Sequence, residues 1–191
     1  YFDIRHLRAQ FGYVPQDHFL FSTSIRNNIA FSDPTIDDDI IHNASNISYI
    51  HQDILSFPEG YDTVVGERGV SLSGGQKQRI SIARALIMNP PVLILDDSLS
   101  AVDAQTEEAI LENLEHLRSG KTNIITAHRM SAVKHADLII VMNEGRIIER
   151  GNHATLMSKK GWYYDTYQAQ ALQEQLSRNL DSLTKGDGEN D

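Results

Sequence analysis

Two adjacent carboxylates close an apolar run in VLILDD (92–97). Four apolar residues lead straight into Asp96 and Asp97. In an open parallel sheet, strand ends face the crevice where ligands bind. A carboxylate there is a hard oxygen ligand suited to Mg²⁺, and a second acid beside it can position or deprotonate water. The same pattern also fits a plain strand end followed by an Asp helix cap, and on these residues alone both readings stand. A second stretch, LSGGQKQR (72–79), adds an anion site. Ser73 and two glycines open a helix. Gly74 and Gly75 leave the backbone open to approach, and a helix N-terminus supplies unpaired N–H groups and the positive end of the dipole. SGG alone is no more than a Ser cap; LSGGQ set sixteen residues before VLIL is a much narrower pattern.

These groups need elements to hold them. FGYVPQ (11–16) reads as a strand ended by Pro15, and Ser24 caps a short helix in SIRNNIAF (24–31). Apolar residues at helical spacing over 33–58 give two helices ending at Pro58. GYDTVVGERGVSLSGGQ (60–76) is loop-like. QKQRISIARALIMN (76–89) is a helix stopped by Pro90-Pro91. VLIL (92–95) has the continuous apolar character of a strand buried on both faces. TEEAILENLEHL (106–117) is an amphipathic helix. TNIITAH (122–128), ADLIIVMNEG (136–145) and GRIIERG (145–151) are further strands, the last two a hairpin around Asn143-Glu144-Gly145. The alternation points to an α/β fold with a mainly parallel sheet. YYDTYQAQALQEQLSRNLDSL (163–183) is a long polar helix, and the tail 185–191 is expected to be disordered.

The 191 residues suffice for one sizeable domain, and 40% hydrophobic content is ordinary for a globular chain. No apolar run approaches the ~20 residues of a membrane-spanning helix. The first residues show no signal peptide and no initiator Met, as expected of a chain that starts partway through a longer protein. The absence of cysteine excludes disulfides and thiol chemistry. A formal charge of −9 argues against a broad nucleic-acid surface, while leaving room for a local phosphate site built from backbone N–H groups.

LSGGQ, then VLILDD, then SAVD (100–103), then ITAHR (125–129), in that order, resembles the nucleotide-binding domain of ATP-binding cassette (ABC) proteins. The likeness runs from about residue 4 to residue 160. VPQD (14–17) matches the family's Q-loop; SIRNNIAF and VVGERGVSLSGGQ (64–76) match its exporter branch, and GERG (66–69) the loop that meets the transmembrane domain. The resemblance implies a P-loop NTPase of ABC ATPase type, present in part over 1–160, with a helical subdomain over about 24–89 and a helical extension over 161–184. It implies ATP and Mg²⁺ as ligands. Asp96 and Gln16 would hold the metal. Asp97, His128 and Gln16 would serve catalysis, His128 at the γ-phosphate and attacking water. Ser73, Gly74, Gly75 and Gln76 would bind nucleotide held by a second cassette, and Asp103 would cross the dimer interface. Arg79 reads as a structural or interface charge.

Two features depart from the family pattern. The phosphate loop GxxxxGK[ST] is absent; Gly120-Lys121-Thr122 is a decoy, because Glu115 stands where its first glycine belongs and the triplet precedes a strand rather than following one. The family's loop lies upstream of the Q-loop, so the core of this chain is expected to be incomplete. The other departure is Asp97, where efficient family members carry Glu. The shorter side chain retracts the carboxylate by roughly 1.5 Å, and misplacement by about 1 Å can cost on the order of 100-fold in rate. DDSLSAVD thus resembles the degenerate cassette of heterodimeric exporters; a homodimer in which Asp97 works adequately is the alternative.

The resemblance therefore implies ATP hydrolysis driving export of drugs or lipids, at the cytoplasmic face of a membrane, with a second cassette and a transmembrane domain as partners and no nucleic acid. The 191-residue chain alone is expected to be inactive. A soluble ABC ATPase of DNA repair or translation, and a regulatory module that holds nucleotide without turning it over, are the alternatives.

Overall fold

The computed structural model describes residues 3–66 and 69–186. A short helix α1 (Ile4–Arg8) precedes strand β1 (Phe11–Val14). Then come α2 (Ile25–Ile29), α3 (Asp38–Ile47), α4 (His51–Ser56) and α5 (Gly74–Leu86). Strand β2 (Val92–Asp96), α6 (Ala104–Leu117) and β3 (Thr122–Thr126) follow. The chain ends in β4 (Ile139–Asn143), β5 (Arg146–Gly151), α7 (His153–Lys159) and α8 (Trp162–Gly186). Of the tail expected to be disordered, Lys185 and Gly186 close α8 and residues 187–191 lie outside the described residues.

The chain packs as two compact units, 1–128 and 129–191. The first holds a parallel sheet in the order β1-β2-β3, with β2 central. Its core joins Val14, Leu93 and Leu95 of the sheet to Ile80, Ile82 and Ala83 of α5 and Ile110 and Leu114 of α6. Ile25, Ile41 and Ile54 extend the core into α2, α3 and α4. Side chains alternate along a strand, so one face of the sheet is buried and the other is not. Leu93 and Leu95 are sealed, while Val92 and Ile94 between them are half-exposed. Phe11 and Tyr13 of β1 and Ile124 of β3, on that second face, are exposed. The expectation that VLIL is buried on both faces is corrected here: α5 and α6 cover one face, and nothing among the described residues of this unit covers the other to the same depth.

Capping explains where the long helices begin. Ser73 starts α5, with a reciprocal capping box to Gln76. Asp103 starts α6 by accepting the Thr106 amide. Gly120, at φ 78°, makes the turn between α6 and β3 that the left-handed region reserves largely for glycine. This turn contains the decoy triplet: Thr122 is the first residue of β3, and Lys121 Nζ donates to the Asn89 carbonyl at 3.1 Å. It ties two loops together and opens no helix.

In the second unit β4 and β5 form an antiparallel hairpin whose turn, Glu144-Gly145, has positive φ at both residues, the geometry that two-residue hairpin loops favour. Leu156 and Tyr163 are buried against Met130, Ile139 and Val141. Tyr163 also shares a 2.9 Å hydrogen bond with His153 Nδ1. No helix among the described residues is long and apolar enough to cross a membrane.

Candidate functional site

The site is built at the C-terminal end of the parallel sheet. Asp96 is the last residue of β2, half-buried, and sits opposite Thr126 in the register with β3. Both of its oxygens accept hydroxyl protons. Thr126 Oγ1 donates to Oδ1 at 2.8 Å, and the Tyr13 hydroxyl of β1 donates to Oδ2 at 3.1 Å. The hydrogen bond to Asp96, then burial and the carboxylate's charge, push the Tyr13 phenol above its ordinary range.

Asp97 leaves the strand in the left-handed region, at φ 46°. Its amide donates to Thr126 Oγ1 at 2.9 Å and to the Thr126 carbonyl at 3.1 Å. Gln16, in the turn after β1, reaches back with Nε2 to Asp97 Oδ2 at 3.4 Å. The structure thus gathers Gln16, Asp96 and Asp97 from two strand ends 81 residues apart in sequence. His18, two residues on, lies near enough to Asp17 and Asp97 for both to pull its imidazole up, yet burial outweighs them and pushes it down. His128 is exposed, two residues beyond the end of β3.

The helix opening at Ser73 is a second part of the same unit. Ser73 Oγ accepts the Gln76 amide at 3.2 Å, and Gln76 Oε1 accepts the Ser73 amide at 3.0 Å. The Gln76 side chain is further engaged with Asp53, to which Nε2 donates at 3.3 Å. The capping residues are thereby fixed, and the amides of Gly74 and Gly75 are left without an intrahelical acceptor, as at any helix start. The two glycines differ. A Cβ on Gly74 would make ordinary contact with Ala101, 3.4 Å away; one on Gly75 would lie 2.9 Å from the Ala101 carbonyl oxygen. Gly75 is required by the loop after Asp97, which packs directly on α5.

That loop is held by Gln78, a residue whose role has no local sequence signal. Gln78 is 1% exposed; its Oε1 accepts the Ala101 amide at 2.9 Å and its Nε2 donates to Ser100 Oγ at 3.4 Å. Ser100 Oγ donates in turn to the Asp97 carbonyl at 2.9 Å. Arg79 is structural, as its sequence setting indicated: it pairs with Asp53 at 2.7 Å and donates to the carbonyls of Gly75 and Tyr49. Asp103 is exposed, and its carboxylate accepts the Thr106 amide at 2.9 Å and hydroxyl at 2.7 Å. The hydroxyl, more than the amide, lowers its pKa. Glu67 and Arg68 of GERG lie outside the described residues.

The roles of Tyr13 and Thr126 likewise have no local sequence signal; each lies in a strand recognisable by its hydrophobic pattern. Their signal is strand register: Tyr13, Asp96 and Thr126 all fall on one face of the sheet once the three strands are aligned.

The donor chemistry fits a hard divalent cation. Asp96 is a carboxylate whose two hydroxyl partners take about half of its roughly four lone-pair positions, and Gln16 adds an amide nearby. Among the described residues no group of three or more His, Cys, Asp or Glu forms a metal cage. One carboxylate with open positions is the kind of donor that Mg²⁺ uses alongside several waters and substrate phosphates.

Comparisons with known proteins identify the fold and the family. A bacterial Atm1-family ABC exporter solved with ATP bound shares the fold at a TM-score of 0.82 and 42% identity, over 87% of this chain and 30% of that one. The fold is therefore that of a P-loop NTPase of ABC ATPase type. The ABC transporter family model matches residues 2–100. The probable multidrug resistance ABC transporter ATP-binding/permease protein YheI of Bacillus subtilis (strain 168) is 54% identical over 166 residues, 87% of this chain and 28% of its own length. The multidrug resistance-like ATP-binding protein MdlA of Escherichia coli (strain K12) is 53% identical over 169 residues, 88% of this chain and 29% of its own. This chain belongs to the ABC transporter family, and family membership implies a nucleotide-binding domain. It spans less than a third of the length of these curated relatives.

Proposed function

We propose that this chain is part of the nucleotide-binding domain of a multidrug-type ABC exporter subunit, binding and hydrolysing ATP to power export across a membrane. The observation that carries this reading is the convergence of Gln16, Asp96 and Asp97 at the C-terminal ends of β1 and β2, in a chain whose relatives are named ATP-binding/permease and ATP-binding proteins. The uncovered sheet face and the share of the relatives' length it spans support a place within a longer subunit.

In this reading Asp96 and Gln16 would hold Mg²⁺, which would supply charge neutralisation at the nucleotide's terminal phosphates. Asp97 orients the attacking water, and His128 meets the γ-phosphate from the end of β3. Ser73, Gly74, Gly75 and Gln76 serve nucleotide held by a second cassette. The Gly74 and Gly75 amides and the dipole of α5 support this assignment, and the Ser73 hydroxyl, which accepts the Gln76 amide, keeps its own proton to donate. Asp103, besides capping α6, faces the partner cassette. The partners are that cassette and the subunit's transmembrane domain, at the cytoplasmic face of the membrane.

The short acid at Asp97 favours one refinement, a site that binds nucleotide but turns it over slowly and works beside a competent site in a heterodimer. The test is ATP turnover by the purified full-length protein, reconstituted with its partner in membranes. Measurable Mg²⁺-dependent turnover is expected; no turnover in the reconstituted pair overturns the reading.

A further inference from the structure

Asp96 is held by hydroxyls from both neighbouring strands, and the direction of each hydrogen bond is fixed. The Asp97 amide can only donate, so Thr126 Oγ1 accepts it at 2.9 Å. The single Thr126 hydroxyl proton is then free to go to Asp96 Oδ1, 2.8 Å away. One side chain in this way sets both acids: it accepts from the backbone of Asp97 and donates to the carboxylate of Asp96. The Tyr13 hydroxyl, on the other side, takes one position on Oδ2 at 3.1 Å. An ionised carboxylate has about two acceptor positions per oxygen, so each oxygen keeps one for a metal-bound water.

We propose that Thr126, assisted by Tyr13, is a positioning residue that orients Asp96 toward its divalent metal. This rests on the metal-holding role proposed for Asp96. The register makes the pairing obligatory. Thr126 is the cross-strand partner of Asp96, and Tyr13 pairs with Ile94, two residues before it on the same face. The long Tyr13 side chain spans this diagonal, bringing its hydroxyl 3.1 Å from Asp96 Oδ2. Thr126 is the stronger of the two clamps: its bond is shorter, and it also fixes the left-handed turn at Asp97. Without the hydroxyl, the Asp97 amide retains the Thr126 carbonyl at 3.1 Å, so the turn survives while Asp96 loses its orienting donor on Oδ1. Hydrogen-bonding partners of metal ligands matter by about 10- to 100-fold in metal affinity.

The experiment is a Mn²⁺ titration of the full-length protein with a non-hydrolysable ATP analogue, followed by the electron paramagnetic resonance signal of free Mn²⁺. Thr126→Val, which keeps shape and β-branching, is expected to weaken Mn²⁺ binding by about tenfold, at the lower end of that range. Thr126→Ser restores it, Tyr13→Phe gives a smaller loss, and metal-free analogue binding is unchanged in all three. Wild-type Mn²⁺ affinity in Thr126→Val overturns the proposal, as does an equal loss of metal-free analogue binding, which marks a purely structural role. Asp96→Asn separates the two levels. If it binds Mn²⁺ as wild type does, the role of Asp96 itself is wrong and the inference falls with it.

Discussion

Gln78 Oε1 accepts the Ala101 amide at 2.9 Å, joining the helix that opens at Ser73 to the loop that leaves Asp97. The same loop presses its Ala101 carbonyl toward Gly75. The two glycines of LSGGQ are therefore unequal in a way the motif does not show. Gly75→Ala places a methyl group against backbone oxygen and is expected to destabilise by about 1–3 kcal/mol, the usual cost of overpacking. Gly74→Ala meets only the Ala101 side chain at 3.4 Å, and its effect is expected within about 1 kcal/mol of neutral, helped by helix propensity. Thermal unfolding of the two full-length variants compares them directly; equal losses contradict the packing argument.

This asymmetry shows what one dimension of sequence carries and what it does not. β2 was legible because four apolar residues followed by two acids need no partner to be recognised. The helix starts at Ser73 and Ser24 were legible because a cap is local chemistry, read within three residues. The helices α1 and α7 went unread: five and seven residues give too few turns for a periodicity to show. The Gln78 bond and the Thr126–Asp96–Tyr13 clamp are tertiary, spanning 23 to 83 positions. Burial of VLIL was overread because an apolar run states what a strand can bury, not which faces are covered.

The Arg79–Asp53 pair is expected to matter for folding rather than for chemistry. Both terminal guanidinium nitrogens reach the carboxylate, at 2.7 and 3.2 Å, and Asp53 also receives Gln76. The Arg79 side chain is 12% exposed, so the bond is sheltered from solvent screening. Arg79→Ala removes charge-assisted hydrogen bonds worth about 1.5–3 kcal/mol in such settings. Arg79→Lys recovers little of this, because an ammonium cannot reproduce the planar fork. Denaturant unfolding of the full-length variants checks both; full rescue by Lys contradicts the bidentate account.

Stability is expected to fall on the acid side of pH 6.5. His51 packs against Tyr61 and His42, with Nδ1 2.7 Å from the Tyr61 hydroxyl. Burial, then the neighbouring His42, push its imidazole below the usual value. His18 is lowered by burial as well, against the pull of Asp17 and Asp97. A lowered pKa in the folded state means that the unfolded chain takes up the proton first as pH drops below 6.5. The contribution of these two histidines is therefore constant above that value and declines below it, until the folded imidazoles also protonate. His51→Gln removes one such proton and is expected to shallow the acid-side decline in Tm. An unchanged slope assigns the decline to other groups.

Asp97→Glu sets reach against backbone. The longer side chain advances the carboxylate by roughly 1.5 Å, toward the position that efficient family members fill with Glu. ATP turnover of the full complex is expected to rise. The backbone at this position resists the change, because Asp97 sits at φ 46°. Short polar side chains such as Asp tolerate this left-handed conformation better than longer ones, and a non-glycine residue there costs about 1–2 kcal/mol. The substitution also displaces the oxygen that Gln16 reaches at 3.4 Å. The variant is thus expected to gain rate while losing a fraction of that energy in stability. The two are read separately, as turnover at saturating ATP and as Tm. Lower stability with no gain in turnover, and nucleotide binding intact, shows that the length of the acid does not limit this site.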